Sequence, residues 1–469
     1  MYIQRKPLGE GGPRFGRRRR PPFPYMRVIF YLAILLGSLY VYLRMDRIQP
    51  QVLARIGPEP TPTLTAQTYA TQALNAYNEG ELDAAVEAYR EAVAREPDNI
   101  DYQVALARML ILTENTDEGL VVAEQAILTD PESAKGYAIK AMALDWQGNP
   151  EQAVVEALRA IEIDPEYAPA RAYLAEAYVD LGRWTQAREQ AEMAIRLDPF
   201  DVDARRNYAY LLEFVGDYEG AIAQYQQALS LNPNLLFLLY GLARNNRGAG
   251  DPQAAIDTFT RIVERTPNDP LPWLEIGKTY FELREDDAAQ ENLEQAVQLV
   301  CEECPLHDGL EILDDNWREE NRQLPGEVYM PAWVRLGQVY FTRRNYESAL
   351  GVLEEAIAWG EANQEAADVT VPVEAYYVSA SAYYYLDRCD EAMVRAANAL
   401  ELYESQRLED PNALKNILSI YVLCRDYAAT PPSVAVIFPA GYEEPTVTIE
   451  LPGDEPESEA ESGVKEEQP

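Results

Sequence analysis

Apolar and polar positions follow a helical pattern through most of the chain, and this pattern repeats. Small and apolar residues recur at spacings of three and four, which places them on one face of a helix. The stretch from Arg171 to Pro199 holds two such helices, and Gly182 separates them. Glycine marks the end of the first helix and proline follows the end of the second. Proline recurs every 34 residues in unbroken register, at Pro97, Pro131, Pro165, Pro199, Pro233 and Pro267. We therefore expect a series of stacked helix pairs.

The residues inside each period resemble those of the tetratricopeptide repeat (TPR) family. The fourth unit has the family's residues at Leu174, Ala175, Tyr178, Gly182, Trp184, Ala187, Ala191, Ala194 and Pro199. A seventh unit has them at Trp273, Ile276, Gly277 and Tyr280, and an eighth at Trp333, Leu336, Gly337 and Tyr340. The resemblance implies an all-α, right-handed TPR solenoid of about nine helix-turn-helix units across residues 66–404. A capping helix over residues 411–427 is expected to close it.

The repeat has a physical cause. Small residues such as Ala175 and Ala187 let the two helices of a unit approach closely, and larger ones such as Tyr178 fill the gap to the next unit. Each unit leaves one face uncovered, and the next unit buries it. The second unit is the least typical early unit, because Glu114 replaces the turn glycine and Gly119 replaces an alanine.

An apolar run over residues 28–43 contains no charge and lies between Arg27 and Arg44. As a helix it would be about 24 Å long, close to the ~30 Å hydrocarbon core of a bilayer. We therefore predict a single transmembrane helix, with a cleaved signal peptide as the alternative. Most nearby basic residues precede the run, which favours a cytoplasmic tail over residues 1–27 and an extracytoplasmic repeat domain. Residues 44–65 are predicted to be a Pro/Thr-rich linker.

The charge of the chain excludes one class of partner. The formal net charge is -38 at pH 7, although the N-terminal tail is basic. The repeats are therefore strongly acidic, and such a surface repels nucleic acid. Residues 428–469 are rich in proline and acids, which predicts a disordered tail.

In the TPR family the first helix of each unit lines a concave groove through its second, fifth, ninth, twelfth and thirteenth positions. The residues carried over to these positions are Trp146, Arg206, Tyr210, Phe214, Tyr240, Arg244, Arg247, Lys278 and Phe281. Arginine binds carboxylates in a bidentate manner, and aromatic rings form apolar platforms. The resemblance thus implies protein or peptide partners that carry acidic segments or carboxylates. In the alternative, Arg244 and Arg247 pair with acids on adjacent helices, such as Glu213 or Glu275.

The repeat register slips after the seventh unit. We place units one to seven in residues 66–300, an insertion at residues 301–329, and units eight and nine with the cap in residues 330–427. The insertion begins with the sequence CEECPLH.

The cysteines predict two disulfides. Cys301 and Cys304 favour a local disulfide if the repeats lie outside the cytoplasm. Free thiols, or a metal site that includes His307, are the alternatives. Cys389 lies at the turn of unit nine and Cys424 near the end of the capping helix. These two ends face the same side of an antiparallel stack, so a second disulfide would fasten the cap.

The sequence contains no recognisable catalytic motif. His307 is the single histidine, and neither a GxSxG motif nor a phosphate-binding loop is present. We therefore predict a non-enzymatic protein without a cofactor. The leading hypothesis is a membrane-anchored scaffold that binds protein partners at the extracytoplasmic face, in envelope assembly or secretion. The alternative is a self-associating structural or spacer protein of the envelope, and carbohydrate binding by the tyrosine-rich residues 374–387 is a third hypothesis.

Overall fold

The structure is a computed structural model that describes residues 24–43, 64–300, 326–363 and 370–424. The chain divides into two compact regions, residues 1–65 and the repeat domain, residues 66–469. In the described residues every regular element is a helix. The predicted acidic tail, and most of the predicted basic tail, linker and insertion, lie outside the described residues.

The first region has one described helix, α1, and the repeat domain has nine described helix pairs and a final helix. Their bounds are α1 (Pro24–Leu43), α2 (Ala66–Glu79), α3 (Leu82–Arg95), α4 (Ile100–Leu112), α5 (Thr116–Thr129), α6 (Ala134–Trp146), α7 (Pro150–Ile163), α8 (Ala168–Asp180), α9 (Trp184–Leu197), α10 (Val202–Phe214), α11 (Tyr218–Leu231), α12 (Leu236–Gly248), α13 (Pro252–Val263), α14 (Pro270–Glu282), α15 (Asp286–Val300), α16 (Gly326–Thr342), α17 (Tyr346–Asn363), α18 (Val373–Tyr385), α19 (Cys389–Ser405) and α20 (Pro411–Cys424). Each pair from α2–α3 to α18–α19 is one repeat unit. The predicted TPR-like solenoid is therefore confirmed.

Helix α1 begins at Pro24, ahead of the apolar run at residues 28–43 in which a helix was predicted. Its described side chains are all exposed. Across the described part of the chain, no helix combines the length and the apolarity needed to cross a membrane. The predicted transmembrane helix is therefore not supported.

The turn between the two helices of a unit repeats one backbone conformation. The φ angle is 68° at Gly182, and it is also positive at the equivalent Gly80, Gly148, Gly216 and Gly250. Glu114, Arg284, Arg344 and Asp387 adopt the same conformation without being glycine. Across one such turn the N–H of Arg183 donates to the carbonyl of Tyr178 at 2.7 Å, which satisfies a carbonyl at the helix end. Stacking of the helices thus maintains the left-handed turn conformation even at non-glycine residues, for which this conformation costs about 1–2 kcal/mol.

Small residues set the spacing inside a unit. Ala175 and Ala187 are fully buried at the contact of α8 with α9. A Cβ added to Gly119 would lie 2.8 Å from Cγ1 of Ile111, which explains why the second unit has glycine where alanine is usual. The helices therefore pack at a distance that leaves no room for a larger side chain.

The final helix caps the solenoid. Helix α20 packs against α18 and α19. Cys389, the first residue of α19, forms a disulfide with Cys424 at the end of α20, with an S–S distance of 2.13 Å and a Cα–Cα distance of 5.3 Å. This is the pairing that the sequence suggested. Cys301 and Cys304 lie outside the described residues, and α16 begins at Gly326, inside the predicted insertion.

Candidate protein-binding surface

The first helices of the units face one another across the inner side of a curve. Arg108 on α4 reaches Asp203 on α10, and its Nε and Nη2 donate to the two carboxylate oxygens at 2.7 Å each. The hydroxyl of Tyr173 on α8 donates to the same carboxylate at 2.8 Å. Burial alone would raise the pKa of Asp203, but the charge of Arg108 together with the hydrogen bonds from Arg108 and Tyr173 outweighs burial and lowers the pKa of this carboxyl. We call the surface formed by the first helices the inner face.

A second contact joins the first unit to the loop between units five and six. The side-chain amide of Asn232 donates to the carbonyl of Tyr77 at 3.2 Å, and that of Asn234 donates to the carbonyl of Asn78 at 2.7 Å. A cavity of about 310 Å³ lies beside these contacts, lined in part by Tyr77, Arg108, Tyr173 and Asp203. The inner face of the first five units is therefore partly closed by the chain itself, and an extended peptide could not follow its whole length.

Arg206 on α10 lies in the partly closed region and is mostly buried. Its guanidinium pairs with Glu176 on α8, and the two side chains are only 12% and 8% exposed. The indole N–H of Trp146 donates to the same Glu176 oxygen at 3.1 Å, and the guanidinium lies 5.1 Å from the centre of the Trp146 ring. Burial lowers the pKa of Arg206. These two predicted groove residues are therefore part of the packing between units.

The three other basic residues of the predicted groove form what we call the basic row, Arg244, Arg247 and Lys278. Arg244 pairs with Glu213, Arg247 lies 2.8 Å from Glu275, and Lys278 lies 2.6 Å from the same Glu275. Burial would raise the pKa of Glu275, but the charges of Lys278 and Arg247 outweigh it and lower that pKa. Both arginines thus make the ion pairs that the sequence analysis named as the alternative, and the three cations of the basic row share two glutamates of the same chain.

Besides Trp146, two more of the predicted aromatic residues are not available at the surface. Phe281 is 3% exposed and belongs to the core, with the guanidinium of Arg335 5.0 Å from its ring centre. Position twelve of α14 therefore faces the next unit rather than a groove. Tyr240 is half-buried, and its hydroxyl donates to Asp269 at 3.0 Å.

The other two predicted aromatic residues form an exposed cluster with a residue that the sequence analysis did not assign to the surface. We call Trp184, Tyr210 and Phe214 the aromatic cluster. The rings of Trp184 and Phe214 are stacked with centres 5.9 Å apart, and those of Tyr210 and Phe214 meet edge to face at 4.7 Å. Trp184 is 41% exposed and Phe214 is 52% exposed. Large aromatic side chains with this exposure are available to a partner.

Three acids lie next to this cluster, and we call Asp145, Glu176 and Asp180 the acidic patch. The Tyr210 hydroxyl donates to Asp180 at 2.9 Å. Asp145 is buried, and within the described residues neither of its carboxylate oxygens has a hydrogen-bond partner. Burial and the neighbouring charge of Asp180 raise the pKa of Asp145 to about 8. One oxygen of Glu176, Oε2, is likewise buried and has no hydrogen-bond partner in the described part of the chain.

The sequence reasoning missed Asp145, Glu176, Asp180 and Trp184 as residues of the site. One sequence pattern could have predicted the position of Trp184. An aromatic residue at the start of the second helix of one unit packs on the last residue of the first helix of the following unit. Trp184 does so with Phe214, and Tyr346 does so with Tyr385, whose rings are stacked at 4.7 Å. No such signal exists for Asp145. In the described ranges, no group of three or more histidine, cysteine or acidic residues is placed to hold a metal ion.

Comparison with known proteins gives the family context. Models of tetratricopeptide repeats match residues 76–143, 174–235, 211–270 and 272–299. No curated protein matches the chain.

Solved structures share the repeat architecture. A chain of the APC/C hetero-tetramer Cut9–Hcn1 is similar over 76% of this chain and 63% of its own length, with 15% identity and a TM-score of 0.51. TTC0263, a thermophilic TPR protein of Thermus thermophilus, is 23% identical over 39% of this chain and 98% of its own, with a TM-score of 0.34. The pilF protein of Pseudomonas aeruginosa is 20% identical over 50% of this chain and 96% of its own, with a TM-score of 0.38. At these identities the likeness concerns the fold alone. The family-model matches and the repeated helix pairs together support a tetratricopeptide repeat protein.

Proposed function

We propose that this chain is a non-enzymatic scaffold that binds protein or peptide partners on the inner face of its repeats. The observation that carries the proposal is the aromatic cluster, in which Trp184 and Phe214 are exposed and Tyr210 is half-buried, beside a partly closed part of the solenoid. Aromatic side chains are enriched at protein interfaces because they contribute much contact area at a small loss of conformational freedom.

The ion pairs of the basic row favour a different kind of partner from the one that the sequence suggested. An acidic segment was expected to bind Arg244, Arg247 and Lys278. Each of these cations already has a glutamate partner, so an acidic segment would have to displace Glu213 or Glu275. Among the described residues of the inner face, carboxyl oxygens without a hydrogen-bond partner are instead buried at Asp145 and Glu176, beneath the exposed Asp180.

The location of the scaffold is a further part of the proposal. We infer attachment to a membrane through residues 28–43, with the repeats outside the cytoplasm and a role in the cell envelope. The uncharged apolar run and the basic residues before it support this, whereas no described helix meets the requirements for a membrane span. Extraction of native membranes with alkaline carbonate, followed by protease protection, would test attachment and topology separately.

Site-specific photo-crosslinking in cells tests the proposed function. A photoreactive phenylalanine would replace Phe214 on the inner face, and in a control it would replace Leu158, which is exposed on the second helix of unit three. We expect a defined set of proteins to crosslink at position 214 and not at position 158. Equal capture at both positions, or none at 214, would contradict an inner-face scaffold. Mass measurement of the purified chain at rising concentration would reveal the alternative, self-association.

A further inference from the structure

The buried carboxyl of Asp145 is the starting point for an inference about the partner's chemistry. Asp145 is 4% exposed, and its two oxygens lack hydrogen-bond partners in the described part of the chain. A buried polar group without a partner costs about 1–3 kcal/mol and calls for an explanation. The groups whose charges act on Asp145 are Asp180 on α8 and Arg206 on α10.

The charges around Asp145 are not balanced. Arg206 is already paired with Glu176, whose second oxygen also lacks a partner among the residues that the structure describes. Asp180 is exposed and accepts a hydrogen bond from the neutral hydroxyl of Tyr210. The acidic patch therefore has more carboxyl groups than cations, and a positive charge brought from outside would be stabilised there.

The aromatic cluster lies directly beside the acidic patch. The Tyr210 hydroxyl that donates to Asp180 is on a ring 4.7 Å from Phe214, which stacks on Trp184. Aromatic faces attract cations within about 6 Å of the ring centre, and arginine most often makes this contact. A carboxylate beside exposed rings thus fits an ammonium or guanidinium group.

We propose that Asp180, supported by Asp145 and flanked by Tyr210 and Phe214, binds a lysine or arginine side chain of the protein partner. The cation donates hydrogen bonds to the Asp180 carboxylate and packs against the rings. This inference rests on the proposed scaffold function and specifies the partner's chemistry: a segment with basic side chains, rather than the acidic segment that the sequence suggested.

Binding of a cation should also be linked to a proton. Burial and Asp180 raise the pKa of Asp145 to about 8, so this carboxyl is largely protonated at neutral pH. A bound cation stabilises the ionised form of Asp145 and so lowers its pKa, as Arg206 already does, whereas Asp180 raises that pKa. The affinity for a cation should therefore rise as pH increases towards about 8 and the proton leaves Asp145.

Fluorescence anisotropy with defined peptides tests the inference. The probe is a labelled, amidated peptide of repeating Gly-Ser-Arg, and its control has glutamine in place of arginine. The full-length chain is titrated at 150 mM salt, where screening over about 8 Å suppresses general attraction to an acidic protein. Asp180→Asn is compared with Glu189→Gln, an exposed acid on α9 whose loss changes the net charge equally.

The expected pattern is specific to the site. Asp180→Asn should weaken binding of the arginine peptide about 10- to 100-fold, since a charge-assisted hydrogen bond is lost. Phe214→Ala should weaken it about 2- to 5-fold through loss of the ring contact. Glu189→Gln should change it less than about 2-fold, because an isolated surface charge contributes little. Asp145→Asn should abolish the rise of affinity with pH.

Equal affinities of the Asp180→Asn and Glu189→Gln variants for the arginine peptide would overturn the inference. So would equal binding of the arginine and glutamine peptides to the unsubstituted chain. If crosslinking at position 214 still identified a partner in that case, the scaffold function would stand and only the basic subsite would fail. If crosslinking at position 214 failed but Asp180→Asn still weakened binding of the arginine peptide, the basic subsite would stand and the scaffold function would be contradicted.

Discussion

The acidic patch and the basic row lie on the same inner face, and a residue of each forms an arginine–glutamate ion pair, yet the two regions differ in burial and in hydrogen bonding. In the Arg206–Glu176 pair the side chains are 12% and 8% exposed, whereas Arg244 in the Arg244–Glu213 pair is 51% exposed. In the basic row Glu275 accepts from both Arg247 and Lys278. In the acidic patch Asp145 has no hydrogen-bond partner among the described residues.

This difference shows that residue type alone does not identify a binding surface. The basic row has the residues expected for binding an acidic peptide, but each of its cations already has a glutamate partner within the chain. The acidic patch has no motif, but its charges are incompletely satisfied and exposed rings lie beside it. A charged group of a partner contributes most binding free energy where it supplies an interaction that the chain lacks, and less where it must displace an ion pair that already exists.

The largest expected effect contrasts the two arginines. Arg206→Met should lower the free energy of unfolding by about 3–5 kcal/mol, because it leaves Glu176 buried without its counterion. Arg244→Met should cost less, about 1 kcal/mol, because the Arg244 side chain is half exposed and Glu213 keeps its hydrogen bond from Asn245. Denaturant-induced unfolding of both variants measures the contrast. Equal losses would mean that burial does not separate the two regions.

The disulfide of the cap provides a reference that lies on neither surface. The double variant Cys389→Ala/Cys424→Ala should lose about 2–4 kcal/mol of stability, because the unfolded chain is no longer constrained. Thermal unfolding of the unsubstituted chain should shift downward on addition of reductant, whereas the double variant should not respond. The affinity for the arginine peptide should be unchanged, and a parallel loss of affinity would show that the acidic patch depends on the far end of the solenoid.

The pH dependence of stability should have opposite signs in the two regions. With its pKa raised to about 8, folded Asp145 keeps a proton that the unfolded chain releases above about pH 4. This group therefore makes the protein less stable as pH rises from about 4 to 8. Asp145→Asn should remove that loss and be more stable than the unsubstituted chain at pH 8 by more than about 1 kcal/mol. A variant that is less stable at pH 8 would contradict the assignment.

Glu275 in the basic row should behave in the reverse way. Lys278 and Arg247 outweigh burial and lower its pKa, so its contribution is present above about pH 4.5 and is lost as pH falls through the lowered value. Glu275→Gln should cost about 1–2 kcal/mol at pH 7. The difference in the free energy of unfolding between this variant and the unsubstituted chain should disappear at acidic pH. Unfolding curves at pH 3 and pH 7 measure this, and a constant difference would argue against an ionised Glu275.

The sequence predicted the fold well because the repeat is local. The 34-residue period, the turn glycines and the small residues specify one helix pair at a time, and stacking follows. Even the atypical Glu114 keeps the turn conformation of the glycines. The cap was also foreseeable, since Cys389 and Cys424 lie at ends that an antiparallel stack brings together.

The site was less predictable because it depends on how neighbouring units are rotated against each other. Arg108 and Asp203 are 95 residues apart, and only the curvature of the solenoid joins them. The unpartnered state of Asp145 depends on side chains from three helices, which no spacing rule specifies. Phe281 was assigned to the groove by position, but the packing of α16 against α14 places Arg335 over its ring.

The most direct measurement is the affinity of two peptides for three forms of the full-length chain. The peptides repeat Gly-Ser-Arg and Gly-Ser-Glu, and the forms are the unsubstituted chain, Asp180→Asn and Arg244→Gln. We predict that the arginine peptide binds at least about 10-fold more tightly than the glutamate peptide, that Asp180→Asn removes this preference, and that Arg244→Gln leaves it unchanged. Tighter binding of the glutamate peptide, lost with Arg244→Gln, would contradict the account and assign partner binding to the basic row.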